Sequence, residues 1–254
     1  MVKKGKTARL KRKPAPKNWP IHRKEKLFIL KPSPGAHAMD KCLPLTLVLR
    51  DMMDFAKNRR EAQLIVSQGK ILVDGRVLNR DDVPLGLMDV VAMPDSKKYF
   101  RIVPSHKGLF LNPVNKEETD FKLCRIEDKS TVKGGIQINL HDGTNLLVKV
   151  EDPKNPIEDK FKTFDVLKLS LPDKEVMECL ELKEGNMAFI TGGKNIGVLG
   201  KIVDIEKAEA KKKRLALVVV EDKAGNRFQT ILDFVFSIGQ ATPMIATPEA
   251  TAVV

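Results

Sequence analysis

Arg59 and Arg60 open a stretch that reads as a helix, and a guanidinium in a first helical turn is chemistry suited to phosphate. The exposed N–H groups of that turn and the positive end of the helix dipole favour an anion at the same place. Lys70 and Arg76 flank a predicted hairpin and extend the cationic surface. The elements that must hold these four residues lie between residues 45 and 93. Leu45, Leu49, Met52 and Ala56 recur at helical spacing and predict a first short helix, and Ala62, Ile65 and Val66 predict a second. Asn58 is placed to cap the second helix, with Glu61 reaching back to it three residues on, and Gly69 supplies a left-handed stop. Residues 70–73 and 76–78 are predicted strands around Asp74-Gly75, a strong type I′ turn signal.

Charge is unevenly distributed along the 254 residues. Residues 1–31 carry 12 Lys and Arg against one acidic residue, whereas residues 32–254 carry 33 against 32, a balance of +1. The excess sits on Lys3, Lys4, Lys6, Arg9, Lys11, Arg12, Lys13, Lys17, Arg23, Lys24 and Lys26, a spacing typical of arms that follow a nucleic-acid backbone. The bland alternative is a merely solvated arm. It contains no long apolar run, which argues against a secretory signal or a membrane span. Lys excess and Pro14, Pro16 and Pro20 argue against a mitochondrial presequence.

A second phosphate-type signal lies in the glycine-rich stretch 192–200. Gly192, Gly193 and Gly197 allow backbone N–H groups to approach a phosphate, with Lys194 and Lys201 adding charge. The competing reading is that these glycines turn a tight corner between two strands. A nucleotide-binding P-loop is excluded, because Val198 and Leu199 occupy its Lys and hydroxyl positions and residues 201–205 alternate as a strand. The run Lys211-Lys212-Lys213-Arg214 either meets RNA or shields the apolar strand that follows.

Other chemistries lack their residues. Cys42, Cys124 and Cys179 are odd in number and far apart, so they read as buried small hydrophobes, not as a disulfide or metal framework. His22, His37, His106 and His141 are equally scattered, and no metal or other cofactor is expected. No Ser nucleophile elbow or paired-carboxylate setting occurs, so the chain is read as a non-enzyme. Asp142, in His141-Asp142-Gly143, reads as a turn residue. With one Trp and one Tyr, a base-stacking platform of the RRM type is not expected.

The texture divides the chain into a basic arm (1–42) that orders only on a partner, a helix-containing module (43–98), a central β segment (99–174), a second β segment (175–239) and a disordered tail (240–254). Predicted strands in the β segments cover 100–103, 108–111, 121–126, 136–140, 144–150, 164–169, 175–182, 215–220, 227–231 and 234–238. Short strands separated by turns imply small antiparallel barrels or sandwiches, and with the two helices an α+β, multidomain class.

The segments 58–62, 69–77 and 86–91 together resemble the alpha-L RNA-binding motif. Residues 10–19 and 32–37 resemble the start of the archaeal and eukaryotic small-subunit ribosomal protein S4e family, and Gly192–Gly200 is similar to that family's KOW motif. The match runs in order over about residues 5–239, and 141–145 looks more like the archaeal branch. The resemblance implies a cytoplasmic structural constituent of the small ribosomal subunit with small-subunit rRNA and neighbouring ribosomal proteins as partners, and no membrane or small-molecule substrate. It implies a central antiparallel β domain, an SH3-like KOW barrel, and rRNA contacts from Arg59, Arg60, Lys70 and Arg76, with the loop at Gly192, Gly193, Lys194 and Gly197 next. Gln63 departs from the motif's common cation, and the Thr/Pro tail after Gly239 has no counterpart. An RNA-modifying enzyme and a polymerase-bound KOW factor are the rival classes.

Overall fold

The computed structural model describes residues 10–22, 24, 25, 27–150, 160–206 and 215–247. It is built mostly from antiparallel strands with few helices.

The described part of the arm is folded against the protein. Strands β1 (Leu10–Lys11) and β2 (Phe28–Ile29) pair, and Trp19, 3% exposed, packs with Leu10 and Ala15 into the core of the next module. The Trp19 indole N–H donates to the Cys42 carbonyl at 2.7 Å. Composition predicted an extended segment, but a few apolar side chains among the lysines are enough to fold the described residues between 10 and 42 back onto the protein.

After β3 (Leu43–Pro44), helix α1 (Leu45–Leu47) runs straight into a π-helical turn (Val48–Met52) and stops at Met53. Ala56, expected on this helix, lies beyond its end, although it is still buried. Helix α2 (Arg59–Ser67) follows, buries Ala62 and Val66, and ends at Gly69 with φ +69°. The hairpin β4 (Leu72–Val73) and β5 (Arg76–Val77) turns through Asp74 and Gly75, both at positive φ as a type I′ turn requires. Strand β6 (Pro84–Leu85) pairs with β3, and β7 (Val90–Met93) with β4.

The same sheet continues through β8 (Lys98–Ser105) and β9 (Gly108–Pro113), in the order β5-β4-β7-β8-β9. The sequence boundary at 98/99 therefore falls inside one sheet, and Ile102 and Leu111 share a core with α1 and α2. A second sheet, ordered β12-β11-β10-β13-β14, comprises β10 (Phe121–Val132), β11 (Gly135–Leu140), β12 (Asn145–Lys149), β13 (Val166–Ser170) and β14 (Val176–Leu180). The third comprises β15 (Met187–Ile190), β16 (Leu199–Ile205), β17 (Leu217–Asp222), β18 (Arg227–Ile231) and β19 (Val235–Gly239), ordered β18-β17-β16-β15-β19. No pairing between β18 and β19 closes it into a barrel among the described residues.

A shared apolar cluster joins the three sheets: Met88, Leu123, Val166, Phe189, Phe236 and Ile245. Ile245 belongs to the segment expected to be a disordered tail. Residues 240–247 instead lie against the body, with Met244 N–H donating to Ile238 O at 2.8 Å and Ala246 bonded through its carbonyl to Asn112 and through its N–H to Glu118. The Ala/Thr/Pro composition hid one Ile and one Met whose burial anchors the strand-like segment.

Candidate RNA-binding interface

The start of α2 is fixed by its cap. The Asn58 side chain accepts from Glu61 N–H at 3.0 Å, satisfying one of the first turn's free donors. Glu61 returns the bond one residue earlier than a capping box requires, accepting from Lys57 N–H at 2.7 Å and from the Asn58 amide at 2.8 Å.

Arg59 is not a bare cation. Its Nε and Nη2 donate to the two Asp81 oxygens at 2.7 and 3.3 Å. Burial alone would raise the Asp81 carboxyl, but Arg59 and the Thr46 hydroxyl outweigh it and hold it below the usual carboxylate range. Asp81 was invisible as a partner because it is 22 residues away; only a turn returning at β6 brings it there. Two further arginines have the same arrangement: Arg50 donates to Asp51 at 2.6 and 2.8 Å, and Arg80 to Asp82 at 3.0 and 2.9 Å. Arg60 and Lys70, by contrast, are exposed, and their side chains have no hydrogen bond or ion pair among the described residues. Arg76 is exposed but leans on the second sheet's connection, donating to Pro172 O at 3.3 Å, and the Gly75 turn packs against the same proline.

Of the arm's predicted contacts, Lys11, Lys13 and Lys17 are exposed on the folded part. Arg12 is half-buried and spends its Nη2 on Ile21 O at 3.1 Å. Lys3, Lys4, Lys6, Arg9, Arg23 and Lys26 lie outside the described residues, as do Lys211-Lys212-Lys213-Arg214.

The glycine-rich loop behaves as a packed corner. A Cβ on Gly192 would meet the Phe234 ring at 2.6 Å, and one on Gly197, at φ +86°, would meet Ser105 Cα at 2.8 Å. The N–H groups of Thr191 and Gly197 are already donated to Phe234 O and Ile190 O. Lys194 is exposed on this loop. Lys201 is exposed opposite Glu221 in the β16–β17 register, and Glu184 and Asp222 line the same groove, so its surroundings are not cationic.

A buried charge network that sequence reasoning missed fixes how the module meets the second sheet. Lys122 Nζ, 2% exposed, lies 2.7 Å from Asp74, 2.5 Å from Asp89 and 3.3 Å from Asp142. Burial alone would lower the Lys122 ammonium; the charges of Asp89 and Asp74 raise it instead, so it stays charged. Burial also favours neutral Asp89 and Asp142, but Lys122 overrides this and holds both well below the usual range. The His37 Nε2–H donates to Asp89 at 3.1 Å, and its ring fills the space that a Gly86 side chain would need. His141 accepts from Arg125 N–H through Nδ1 at 3.1 Å and has Leu87 O 3.1 Å from Nε2, which assigns the neutral Nε2–H tautomer. Burial and Lys122 push it down to about 4. Asp142 remains a turn residue, accepting from Thr144 N–H at 2.9 Å, and also closes this network. Arg125 ties the second sheet to the third through Asp233 O and Val235 O at 2.7 and 2.8 Å.

Among the described residues, no three His, Cys, Asp or Glu side chains are grouped to hold a metal. Cys42 and Cys124 are buried, and burial lifts the Cys42 thiol to about 12.

A helical module with a folded basic arm, locked to two further antiparallel sheets, defines a β-rich, multi-module binding protein. The model of the ribosomal family S4e matches residues 96–176, that of the RS4NT domain residues 4–40 and that of the S4 domain residues 48–91. The small ribosomal subunit protein eS4 of Staphylothermus marinus is 46% identical over 251 residues, covering 98% of this chain and 99% of that relative. The Methanocaldococcus jannaschii protein of the same name is 44% identical, covering 96% and 99%. The crystal structure of the 30S ribosomal protein S4e from Thermoplasma acidophilum superposes with a TM-score of 0.65 at 29% identity, covering 80% of this chain and 97% of that one. The chain belongs to the ribosomal family S4e.

Proposed function

We propose that the protein is a structural, non-catalytic constituent of the cytoplasmic small ribosomal subunit that binds rRNA and supports subunit assembly and translation. The observation that carries this reading is its identity with proteins named small ribosomal subunit protein eS4 over nearly the whole of both chains. Its partners on this reading are small-subunit rRNA and the neighbouring ribosomal proteins.

Within it we assign the arm (1–42) most of the backbone electrostatics and the alpha-L module (43–98) the choice of docking position. The central β domain (99–174) and an SH3-like KOW barrel (175–239) complete it, with residues 240–254 as a C-terminal tail. Support for the barrel comes from the β15–β18 meander and the short helical turn Leu232–Phe234 that returns β19 to β15. In this assignment Lys3, Lys4, Lys6, Arg9, Lys11, Lys13, Lys17, Arg60 and Lys70 meet phosphates directly. Arg12, Arg59 and Arg76 act from positions already held by protein partners, and Lys194 and Lys201 are the weaker contacts.

The test uses the full chain and salt-washed small subunits on a sucrose gradient, where stable co-sedimentation is expected and its absence sinks the reading. Salt dependence apportions the arm. If about eight phosphates are neutralised, log affinity falls with log salt at a slope of roughly −6 to −7. Removing residues 1–31 would strip Trp19 and Leu10 from the core. A charge-only variant is therefore required: deletion of residues 1–9 with Lys11, Lys13 and Lys17 changed to Gln. It should flatten the slope by roughly 5 to 6, at about 0.7–0.9 per cation. Arg60→Ala should instead reduce the preference for the cognate rRNA over random RNA.

A further inference from the structure

A cleft of about 500 Å³ opens between the folded arm and the first helix. Ile21, Phe28, Ile29 and Leu30 line it on the arm side. The opposite wall carries Arg50 and Arg59, and Asp51 and Asp82 complete the rim. That size falls in the range of small-ligand pockets, where an apolar body with a few fixed polar groups is the usual design.

Arg50 and Arg59 in the cleft, and Arg80 outside it, share one pairing geometry. Arg50, Arg59 and Arg80 each spend the same Nε/Nη2 edge on one aspartate, with both oxygens engaged. Among the described lining residues Arg50, Arg59 and Lys31 are matched by Asp51, Asp82 and Glu25, so the formal charges balance and the cleft is a poor trap for a phosphate. What the pairing leaves is orientation. Each guanidinium is held flat and at a fixed angle, and a delocalised planar cation so fixed is a stacking surface for a nucleobase. The scarcity of aromatic rings thus does not deprive the protein of a place for a base.

The rim also selects an edge. Asp51 and Asp82 keep acceptor lone pairs beyond those used by their arginines. Two adjacent N–H donors on one base edge suit such a rim, and guanine presents them at N1 and the 2-amino group. Adenine and cytosine set a ring acceptor beside their amino group, and uracil flanks its single N–H with carbonyl oxygens, so each would aim a lone pair at a carboxylate.

We propose that this cleft receives a single unpaired guanine, stacked on the fixed guanidinium planes of Arg50 and Arg59 with its donor edge towards Asp51 and Asp82. The occupant comes from the rRNA, so the inference rests on the function proposed above.

The full chain is titrated with GMP, AMP and ribose 5-phosphate at one ionic strength. In parallel it is titrated with two RNA hairpins that differ only in carrying a bulged guanosine or a bulged abasic site. GMP is expected to bind at least about tenfold more tightly than ribose 5-phosphate and several-fold more tightly than AMP, and the guanosine hairpin more tightly than the abasic one. Arg50→Lys keeps the charge and loses the plane, so it should abolish the advantage over ribose 5-phosphate. Asp82→Asn, at the half-buried rim, should erase the GMP-over-AMP preference with an unchanged melting curve. Equal binding of GMP and ribose 5-phosphate would make this a phosphate site and overturn the proposal. Nucleotide binding without hairpin discrimination would overturn the rRNA as source. Failure of both hairpins to bind with any salt dependence would instead sink the rRNA-binding function itself.

Discussion

Lys122 reaches from the second sheet into the hairpin turn of the helical module and takes Asp74 at 2.7 Å, while the other Asp74 oxygen accepts from Val90 N–H at 2.9 Å. One turn residue therefore ties the hairpin both to β7 and to the neighbouring sheet. Removing the lysine strips three carboxylates of the cation they share, leaving Asp142 only Lys174 at 3.8 Å and Asp89 only His37 among the described residues. Lys122→Met should cost about 3–5 kcal/mol in urea unfolding. A loss below about 1 kcal/mol would show that water reaches the network and that the lock is weak.

The acid side of the stability profile should carry the mark of His141. Its folded-state value lies near 4, below the ordinary 6.5, so the unfolded chain takes up a proton first as pH falls. The stability it supports is complete above about 6.5 and is lost between there and about 4. The loss is of order 3 kcal/mol at 1.36 kcal/mol per pH unit. Asp89 and Asp142, both held low, add their own loss only below the ordinary carboxylate range, while Asp74, raised by burial and Asp89, works in the opposite direction just above it. His141→Gln should flatten the segment between pH 6.5 and 4.5 in denaturant melts, and an unchanged slope would assign it to another group.

Ile245 is predicted to matter as a core residue does. Ile245→Ala removes a side chain from the cluster shared by three sheets and should cost about 2–5 kcal/mol in thermal or urea unfolding. A melt indistinguishable from the parent would return residues 240–247 to the disordered tail that composition suggested.

The glycine loop separates packing from binding by two substitutions. Gly192→Ala drives a methyl into the Phe234 ring and should lower the melting temperature, whereas Lys194→Ala should leave it within experimental error. If Lys194→Ala weakens rRNA binding and Gly192→Ala in a still-folded protein does not, the corner is structural and only its lysine touches RNA.

Much of the helical module was legible because its signals are local. Asn58, Gly69 and Asp74-Gly75 act within four residues of themselves, and each does in the structure what its type dictates. The positions of most β strands followed from alternation for the same reason. The pairing of arginines with Asp51, Asp81 and Asp82 was not legible, because acidic residues scattered among cations look like ordinary solvated surface until the chain is folded. Nor was the Lys122 network, whose members at 37, 74, 89, 122, 141 and 142 have no common spacing. The arm misled in the opposite way: its lysines dominated the count, and the few apolar residues that decide where the described residues between 10 and 42 lie were outnumbered. The first helix also fell short of its period, since a π turn shifts the register and leaves Ala56 outside.

The chain has one tryptophan, and the fold places it at the joint between arm and helical module, with its indole N–H on the Cys42 carbonyl. Intrinsic fluorescence excited at the indole band is therefore a single-site optical reporter. A blue, protected emission reads the arm as seated, and a red shift with faster collisional quenching reads it as released. Because no second indole dilutes the signal, the seating of this joint can be followed in real time without a label while the protein meets its RNA.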